Sequence, residues 1–374
     1  MKFVIAPDKY KGSLTAFEFC NAVEEGFNKA LVNTEIIKMP LADGGDGTID
    51  VVKHYLKGDI IKVKANDPLF RTIEASYLFS SETKISYIEM AEASGLKLLK
   101  ENEKNCMLTT TLGTGELIAD ALQKGAKEII LGIGGSATNE GGIGMAFALG
   151  FRFLDKNNAV LEPKGENLMH IKTIDSSGVN PLLKNVVVKV ACDVTNPLYG
   201  KNGAAYIYAS QKGASNEEIE ALDNGLKNYS EIVQRQFGID VQQIEGAGAA
   251  GGMGAGSVVF LNAQLTSGID LIKELADFDT NIKGADWIIT GEGKLDDQTL
   301  SGKTISGVIT SAKNQNIPVA ALCGSVNLSV ETQKELGLDY AISIVKGISD
   351  LEEAMASSYT NLVHAAYNFA SILK

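Results

Sequence analysis

Four loops of this 374-residue chain combine glycine with a carboxylate at the predicted end of an apolar strand. Open α/β sheets bind ligands outside the carboxyl ends of their strands, so we expect these acids to lie close together. Hard oxygen ligands with room for a phosphate group favour Mg²⁺. Aspartate beside glycine also occurs in ordinary turns, and for a single loop this structural interpretation is stronger than a functional one. Four such loops in one chain favour a functional site. The residues concerned are Asp8, Asp43, Asp46, Asp193, Asn196, Glu292, Asp296 and Asp297.

Lysines in the same loops supply the positive charge that a phosphate group requires, namely Lys11, Lys294 and Lys303. Lys303 stands at the start of a helix predicted over 304–313, where its charge adds to the positive end of the helix dipole. The run Gly302-Lys303-Thr304 ends like a P-loop, but Asp297 occupies the position of a required glycine. The sequence therefore excludes a P-loop ATPase.

A glycine-rich turn over 132–137 follows a predicted buried strand and formally matches the dinucleotide fingerprint. Asp155 stands 23 residues after Gly132, near the position expected of a ribose-binding acid. The side chains of Ser136, Thr138 and Asn139 suit a phosphate or carboxylate at a helix N-terminus better than a nicotinamide. A second match, over 246–251, lacks a strong preceding strand, and close helix packing explains its glycines equally well.

The elements that must position these residues follow a β-α-β-loop-α order at the N-terminus. The hydrophobic pattern predicts strands over 2–6 and 35–41, a helix over 16–30, and a second helix through His54. The C-terminal third repeats this order, with strands predicted over 287–290, 319–323 and 340–344 and a helical pattern over 351–373. We therefore expect the two ends of the chain to share one doubly wound parallel sheet.

The middle of the chain shows a different pattern. Antiparallel strands are predicted over 73–80 and 84–90, buried strands over 128–132 and 186–191, an edge strand over 203–209, and a helix over 145–149. The predicted fold is α/β, with a Rossmann-like domain over 1–60 plus 281–374. A second α/β domain over 61–280 is inserted into it, and the cleft between the two is expected to close over substrate and exclude water.

Composition narrows the function further. The net charge of −12 disfavours binding to nucleic acid or to anionic membranes, both of which need a basic surface. The four cysteines are scattered without a C-x-x-C pair, as are the three histidines, so a zinc site is not expected. The apolar run over 3–6 is too short for a signal peptide, and no stretch is long enough to span a membrane. We expect a cytoplasmic protein.

The chain resembles the type I glycerate kinases over nearly its whole length. Eight segments in order carry the resemblance: APDKYKGSL (6–14), ADGGDGT (42–48), EMAEASGL (89–96), TLGTGELI (111–118), GIGGSATNEGG (132–142), ACDVTNPLYG (191–200), GAGAAGGMG (246–254) and TGEGKLDDQTLSGK (290–303). The resemblance implies a two-domain α/β fold and phosphorylation of D-glycerate, a small-molecule substrate, that depends on ATP and Mg²⁺. Lys9 stands where the family usually has serine, and Phe70 where glycine is frequent.

Phosphoryl transfer needs Mg²⁺ and cations on the phosphates, in-line positioning, and a base near the attacking hydroxyl. We predict that Asp43 and Asp193 act on the metal or as the base, and that Lys11 takes part in catalysis. Substrate and phosphate groups are predicted to contact Asp8, Ser13, Gly44, Gly45, Gly134, Gly135, Ser136, Thr138, Asn139, Asn196, Lys294 and Lys303. The predicted metal ligands are Asp46, Glu292 and Asp296. The sequence leaves open whether the 2- or the 3-hydroxyl is phosphorylated, and whether the chain forms a homo-oligomer.

Two other functions have some support. An NAD-dependent dehydrogenase would use the turn over 132–137 and Asp155, but it leaves the other seven segments unexplained. A two-lobed module that binds a small acid would show binding without consumption of ATP. Such modules usually act outside the cytoplasm, and the missing signal peptide disfavours one here.

Overall fold

The computed structural model describes residues 1–44, 48–296 and 304–374. The N-terminal part contains β1 (Lys2–Ile5), α1 (Ala16–Ala30), β2 (Glu35–Lys38) and α2 (Thr48–Leu56). The middle contains β3 (Asp59–Asn66), β4 (Thr72–Phe79), β5 (Ile85–Glu89), α3 (Ala91–Ser94), α4 (Leu112–Gln123), β6 (Glu128–Gly132), α5 (Ile143–Ala148), β7 (Arg152–Leu154), β8 (Thr173–Asp175), β9 (Val187–Ala191), α6 (Asn216–Phe237), α7 (Ala249–Leu261) and β10 (Gln264–Thr266). The C-terminal part contains α8 (Gly268–Leu275), α9 (Phe278–Asn281), β11 (Trp287–Thr290), β12 (Lys294–Leu295), α10 (Thr304–Gln315), β13 (Val319–Cys323), β14 (Ser325–Val326), α11 (Val330–Leu336), β15 (Tyr340–Ser343), α12 (Leu351–Ala356) and α13 (Ser358–Ser371).

The chain forms two compact units. The first unit combines Met1–Tyr55 with Ile269–Lys374, and the second unit is Leu56–Gly268. The predicted domain boundaries lie after residues 60 and 280, five and twelve residues later along the chain, and the domain assignment stays a prediction.

The first unit is built on a five-stranded parallel sheet in the order β15-β13-β11-β1-β2. Phe3 and Ile5 face one side and join a core with α1 and α13, where the Phe3 and Phe27 rings meet edge to face with centroids 4.7 Å apart. Val4 and Ile288 point to the other side and are also fully buried. Burial of both faces explains why the inner strands β1, β11 and β13 are almost wholly apolar.

The second unit contains a six-stranded mixed sheet in the order β10-β9-β6-β5-β4-β3. The strands β5, β6, β9 and β10 run parallel, while β4 is antiparallel to both β5 and β3. Glu89 pairs with Gly132, and Gly132 pairs with Ala191, so these three strands end at the same edge of the sheet. The loops that follow them are therefore neighbours.

The predicted α/β class is confirmed, and several elements have the predicted bounds, among them α1, β6, β11 and β13. The predicted edge strand over 203–209 is wrong, because Ala205–Ala209 forms a π-helix. Ala205 and Ala209 are buried while Tyr206 and Ile207 are exposed, a spacing that follows a helical turn and not the alternation of a strand. The helical pattern predicted over 351–373 is divided into α12 and α13. Within the described ranges, no helix has the length and apolar character that a membrane span would need.

Candidate active site

A cavity of about 740 Å³ lies in the first unit, beyond the carboxyl ends of β1 and β11. These two strands are neighbours at the point where the chain changes direction across the sheet. From β1 the chain continues through α1 to β2 on one side, and from β11 it continues through α10 to β13 on the other. Such switch points are where open α/β sheets bind ligands. Of the predicted site residues that the structure describes, six line this cavity: Asp8, Lys11, Ser13, Asp43, Glu292 and Lys294.

Asp8 is the most deeply buried acid of this cavity, with 8% of its surface exposed. The Thr304 hydroxyl donates to Asp8 Oδ2 at 2.6 Å, and the backbone N–H of Lys9 donates to Oδ1 at 2.7 Å. Burial, with a smaller contribution from the negative charge of Asp43, raises the pKa of Asp8 to about 6, and the two hydrogen bonds and the positive charge of Lys9 oppose that rise. The neutral form of the Asp8 carboxyl group is therefore favoured more than in an exposed aspartate.

Glu292 and Lys294 reach the cavity because the backbone continues in extended form beyond β11. The short strand β12 pairs with β14, with Lys294 opposite Ser325. Glycines allow the close approach, since a Cβ on Gly291 would lie 2.0 Å from the Leu322 carbonyl oxygen and one on Gly324 would lie 2.3 Å from that of Gly293. Lys294 Nζ lies 2.8 Å from Asp296 Oδ2, and this hydrogen bond raises the pKa of Lys294.

Ser13 holds the loop after β1 against the C-terminal helices. Its hydroxyl contacts the Ser358 hydroxyl and donates to the Met355 carbonyl oxygen at 2.9 Å. Gly44 follows Asp43 with φ +90°, a conformation that favours glycine. Gly45, Asp46 and Lys303, which the sequence predicts to bind phosphate or metal, lie outside the described residues.

The acids of this cavity fit a magnesium ion that is completed by phosphate oxygens. Among the residues with described positions, no three His, Cys, Asp or Glu side chains are arranged to hold a metal ion by themselves. Mg²⁺ usually binds through one or two carboxylates together with the phosphates of its substrate, so such a cage is not required. Asp43 lies close enough to Asp8 for its negative charge to raise the pKa of Asp8, and a bound cation would relieve this repulsion.

The second unit positions the other predicted residues, beginning with the turn over 134–139 that follows β6. Gly134 and Gly135 are exposed at its tip, whereas Ser136, Thr138 and Asn139 are buried beneath them. Only the backbone of the tip can therefore meet an anion from solvent. The Thr138 hydroxyl and both polar atoms of the Asn139 amide have no hydrogen-bond partner among the described residues.

A buried lysine that the sequence did not reveal supports this turn. Lys212 is 2% exposed, and its Nζ donates to Ser136 Oγ at 2.6 Å and to the Thr138 carbonyl oxygen at 2.7 Å. Burial lowers the pKa of Lys212 to about 8. Nothing in the local sequence indicates this role, because its partners lie more than 70 residues earlier in the chain.

Glu140 anchors the other end of the turn. Its Oε1 accepts the backbone N–H of Thr111 at 2.9 Å, and its Oε2 accepts that of Gly144 at 3.2 Å. The side chain is 1% exposed, and burial raises its pKa to about 7. The turn is thus held by buried polar contacts on both sides.

Asp193 and Asn196 follow β9, at the same sheet edge as the turn. Asp193 is exposed, and its Oδ1 accepts the backbone N–H of Gly268 at 2.9 Å. The Asn196 amide donates to the Asn202 carbonyl oxygen at 2.9 Å and accepts the Tyr208 hydroxyl at 2.6 Å. These contacts show that Asn196 braces its own loop.

The two dinucleotide-like patterns have structural explanations. Asp155 Oδ1 accepts the backbone N–H groups of Asn157 and Ala159, and β7, which precedes it, pairs with β8 outside the main sheet. A Cβ on Gly248 would lie 2.2 Å from the Pro197 carbonyl oxygen, and one on Gly251 would lie 2.0 Å from that of Thr138. The glycines over 246–251 therefore serve close packing, and Asp155 closes a turn.

Comparisons with known proteins all identify similarity to the same family over nearly the whole chain. The sequence pattern of the glycerate kinase family matches residues 3–374. A glycerate kinase of Halalkalibacterium halodurans is 45% identical over 99% of this chain and 97% of its own length. The glycerate 2-kinase of Escherichia coli K12 is 42% identical over 100% of this chain and 98% of its own. The crystal structure of a Salmonella typhimurium LT2 protein, assigned as a glycerate kinase 2, aligns with a TM-score of 0.89 and 41% identity over 100% of this chain and 98% of that one.

Proposed function

The chain belongs to the glycerate kinase family, and from this membership we propose that it transfers the γ-phosphoryl group of ATP to D-glycerate with the help of Mg²⁺. The observation that carries the proposal is the cavity at the switch point of the first unit. It combines the carboxylates of Asp8, Asp43 and Glu292 with the ammonium groups of Lys11 and Lys294. Phosphoryl transfer requires these two kinds of group together, because the protein positions charge more than it forms bonds.

The acidic and the basic residues around the cavity would have different roles. Asp8 and Asp43 would hold Mg²⁺, which when bound neutralises charge on the phosphate oxygens. Lys11 and Lys294 are positively charged and would pair with the same negatively charged oxygens. Lys294 then exchanges its ion pair with Asp296 for one with phosphate.

The reaction moves one proton and one phosphoryl group. A glycerate hydroxyl oxygen attacks the γ-phosphorus, a new O–P bond forms, and the bond from that phosphorus to the ADP oxygen breaks. The hydroxyl proton passes to a carboxylate, for which Asp43 and Asp193 are the candidates. The exposed backbone at Gly134 and Gly135 suits an anion, either the glycerate carboxylate or a phosphate.

We propose that the 2-hydroxyl is the acceptor, so that the product is 2-phosphoglycerate. Support comes from the Escherichia coli relative, which is named a glycerate 2-kinase and is 42% identical over 100% of this chain. The two hydroxyls of glycerate differ by one carbon, so the position of the acceptor depends on the precise pose of the substrate.

The test is ³¹P NMR of the product formed from ATP, Mg²⁺ and D-glycerate. Phosphate on C2 couples to one proton and gives a doublet, whereas phosphate on C3 couples to two and gives a triplet. We expect the doublet, and no product when EDTA is added or ATP is left out. A triplet would move the acceptor to the 3-hydroxyl, and the absence of any phosphoester would refute the kinase assignment. Incubation with NAD and hydroxy acids, followed by absorbance of reduced nicotinamide, is the control for a dehydrogenase.

A further inference from the structure

The residues that line the cavity of the first unit form two groups of different chemistry: a charged group in the loops after β1, β2 and β11, and an apolar group in the segment after β15. Because β15 and β2 are the opposite edge strands of the sheet, we call these groups the apolar end and the charged end of the cavity. The charged end carries the acids and lysines described above. The apolar end is formed by Ile344, Val345, Leu351, Ala354 and Met355. Glycerate has three carbons and a charged carboxylate, so neither it nor a phosphate group can use this apolar wall. The volume of about 740 Å³ instead falls within the range of pockets that hold drug-sized ligands.

We propose that the apolar end binds the adenine base of the nucleotide, with the phosphates at the charged end. This proposal rests on the proposed function, and it adds a binding subsite on residues that no sequence motif indicated. A nucleoside triphosphate is the reactant with one flat apolar part and one highly charged part, and the cavity matches it at both ends.

Two apolar side chains at the apolar end of the cavity are exposed to solvent and could be covered by a ligand. Leu351 is 75% exposed and Val345 is 37% exposed, although both line the cavity. Exposed apolar side chains grouped at a concave surface are typical of ligand-binding sites, because the ligand removes them from water. A purine ring offers the flat apolar face that such a surface can bury.

Met355 connects the two ends of the cavity. A Cβ on Gly12 would lie 2.9 Å from Met355 Cε, so this side chain lies directly against the loop that carries Lys11. The Met355 carbonyl oxygen accepts the Ser13 hydroxyl, which fixes α12 to the same loop. A thioether packs well against aromatic rings, so Met355 would contact the base of the proposed ligand.

Asp350 offers a partner for the ribose. It also lines the cavity, and its Oδ1 caps α12 by accepting the backbone N–H of Glu353 at 2.8 Å. Its Oδ2 has no partner among the residues that the structure describes. A carboxylate in this position can accept the ribose hydroxyls, as acids do in other nucleotide sites of open α/β sheets.

The test compares two exposed apolar residues at equivalent helix positions. Leu351 and Val330 are each the first residue of a helix in the first unit, 75% and 61% exposed, and only Leu351 lines the cavity. For Leu351→Ser we expect the Kd of ADP and the KM of ATP to rise about 10-fold, the lower end of the range for a lost apolar contact. The KM of D-glycerate and inhibition by tripolyphosphate, which has no base, should not change. Val330→Ser should match the wild type in all four measurements.

A second variant tests whether weaker ADP binding in Leu351→Ser results from loss of folding. Ala354→Leu adds volume to the apolar end and should weaken ADP without affecting tripolyphosphate. Unchanged ADP affinity in both variants would overturn the subsite and leave the proposed function standing. If the wild type produced no phosphoglycerate, the proposed function would fail, whereas the ADP and tripolyphosphate measurements would still decide the subsite by themselves.

Discussion

At the scale of single residues, two opposing effects act on the Asp8 carboxyl group. Burial and the charge of Asp43 disfavour its ionised form, while hydrogen bonds from Thr304 and Lys9 favour it. Burial dominates, since the pKa rises from 3.8 to about 6. The folded chain therefore binds this proton more tightly than the unfolded chain does. The resulting stability is present below about pH 4 and is lost as the pH rises through about 6.

The Asp8→Asn variant should therefore change the pH dependence of stability. Without nucleotide and in EDTA, we expect its free energy of unfolding at pH 8 to exceed that of the wild type. The gain is on the order of 2–3 kcal/mol, since one unit of pKa corresponds to about 1.4 kcal/mol. The gain should shrink by pH 4, where the wild-type carboxyl group is already neutral. Urea denaturation at both pH values measures it, and an equal difference at the two would contradict the assignment.

Asp43 has a different role to test, because it lies in the cavity and precedes α2. Asp43→Asn removes the charge that would hold the metal or accept the hydroxyl proton, so we expect turnover to fall by about 10²–10⁴-fold. Thermal melting should be unchanged. If Asp43 only stabilised the following turn and helix, asparagine would replace it well and activity would be retained. Parallel measurement of kcat and Tm distinguishes the two roles.

At the scale of elements, the start of α7 supports the turn over 134–139. Gly251 has φ +72° and lies so close that a Cβ would be 2.0 Å from the Thr138 carbonyl oxygen. That carbonyl is the one that accepts the Lys212 ammonium. A displacement of the turn would therefore also disturb the buried lysine.

Gly251→Ala should destabilise the chain by more than its backbone conformation alone requires. Gly125 is the matched control, since it has φ +87° and nothing within 4 Å of its would-be Cβ. We expect Gly125→Ala to cost about 1–2 kcal/mol for the left-handed conformation. Gly251→Ala should add about 1–3 kcal/mol or more from the steric clash. Denaturant unfolding measures both, and equal losses would show that the turn moves without cost.

Local patterns predicted the elements in which one regular pattern of apolar residues, continuous or at helical spacing, extends over the whole segment. The strand over Glu128–Gly132 and the helix over Ala16–Ala30 are of this kind. The segment Ala205–Ala209 could not be predicted, because its aromatic and β-branched residues favour a strand locally. Tertiary packing buries its alanines instead and so selects the π-helix.

At the scale of the whole molecule, sheet topology decides which residues meet. Asp8 and Thr304 form a hydrogen bond although 296 positions separate them. The sequence predicts that strand ends share an edge, which is why the acids of four loops were expected together. Asp8, Asp43 and Glu292 line one cavity, whereas Asp193 follows β9, a strand of the other sheet. The order of strands and the arrival of α12 beside β1 depend on packing between distant segments. Leu351 and Met355 therefore looked like ordinary helix residues.

Each unit also has its own core. One cluster of buried apolar residues lies wholly within Leu56–Gly268, and includes Tyr77, Phe153 and Tyr229. A separate cluster in the first unit includes Phe3, Phe27 and Phe369. Since a domain folds by itself when it has a core of its own, the second unit should be stable without the first.

The excised segment Leu56–Gly268 should therefore fold and melt cooperatively. Because the proposed nucleotide subsite lies in the first unit, ADP should raise the Tm of the full chain and leave that of the fragment unchanged. A ligand at 100 times its Kd adds about 2.7 kcal/mol to the stability of the state that binds it, which is readily measured. Circular dichroism of the fragment, with and without ADP, provides both results. A fragment without a cooperative transition would show that the two cores depend on each other, and a fragment stabilised by ADP would place a nucleotide site in the second unit.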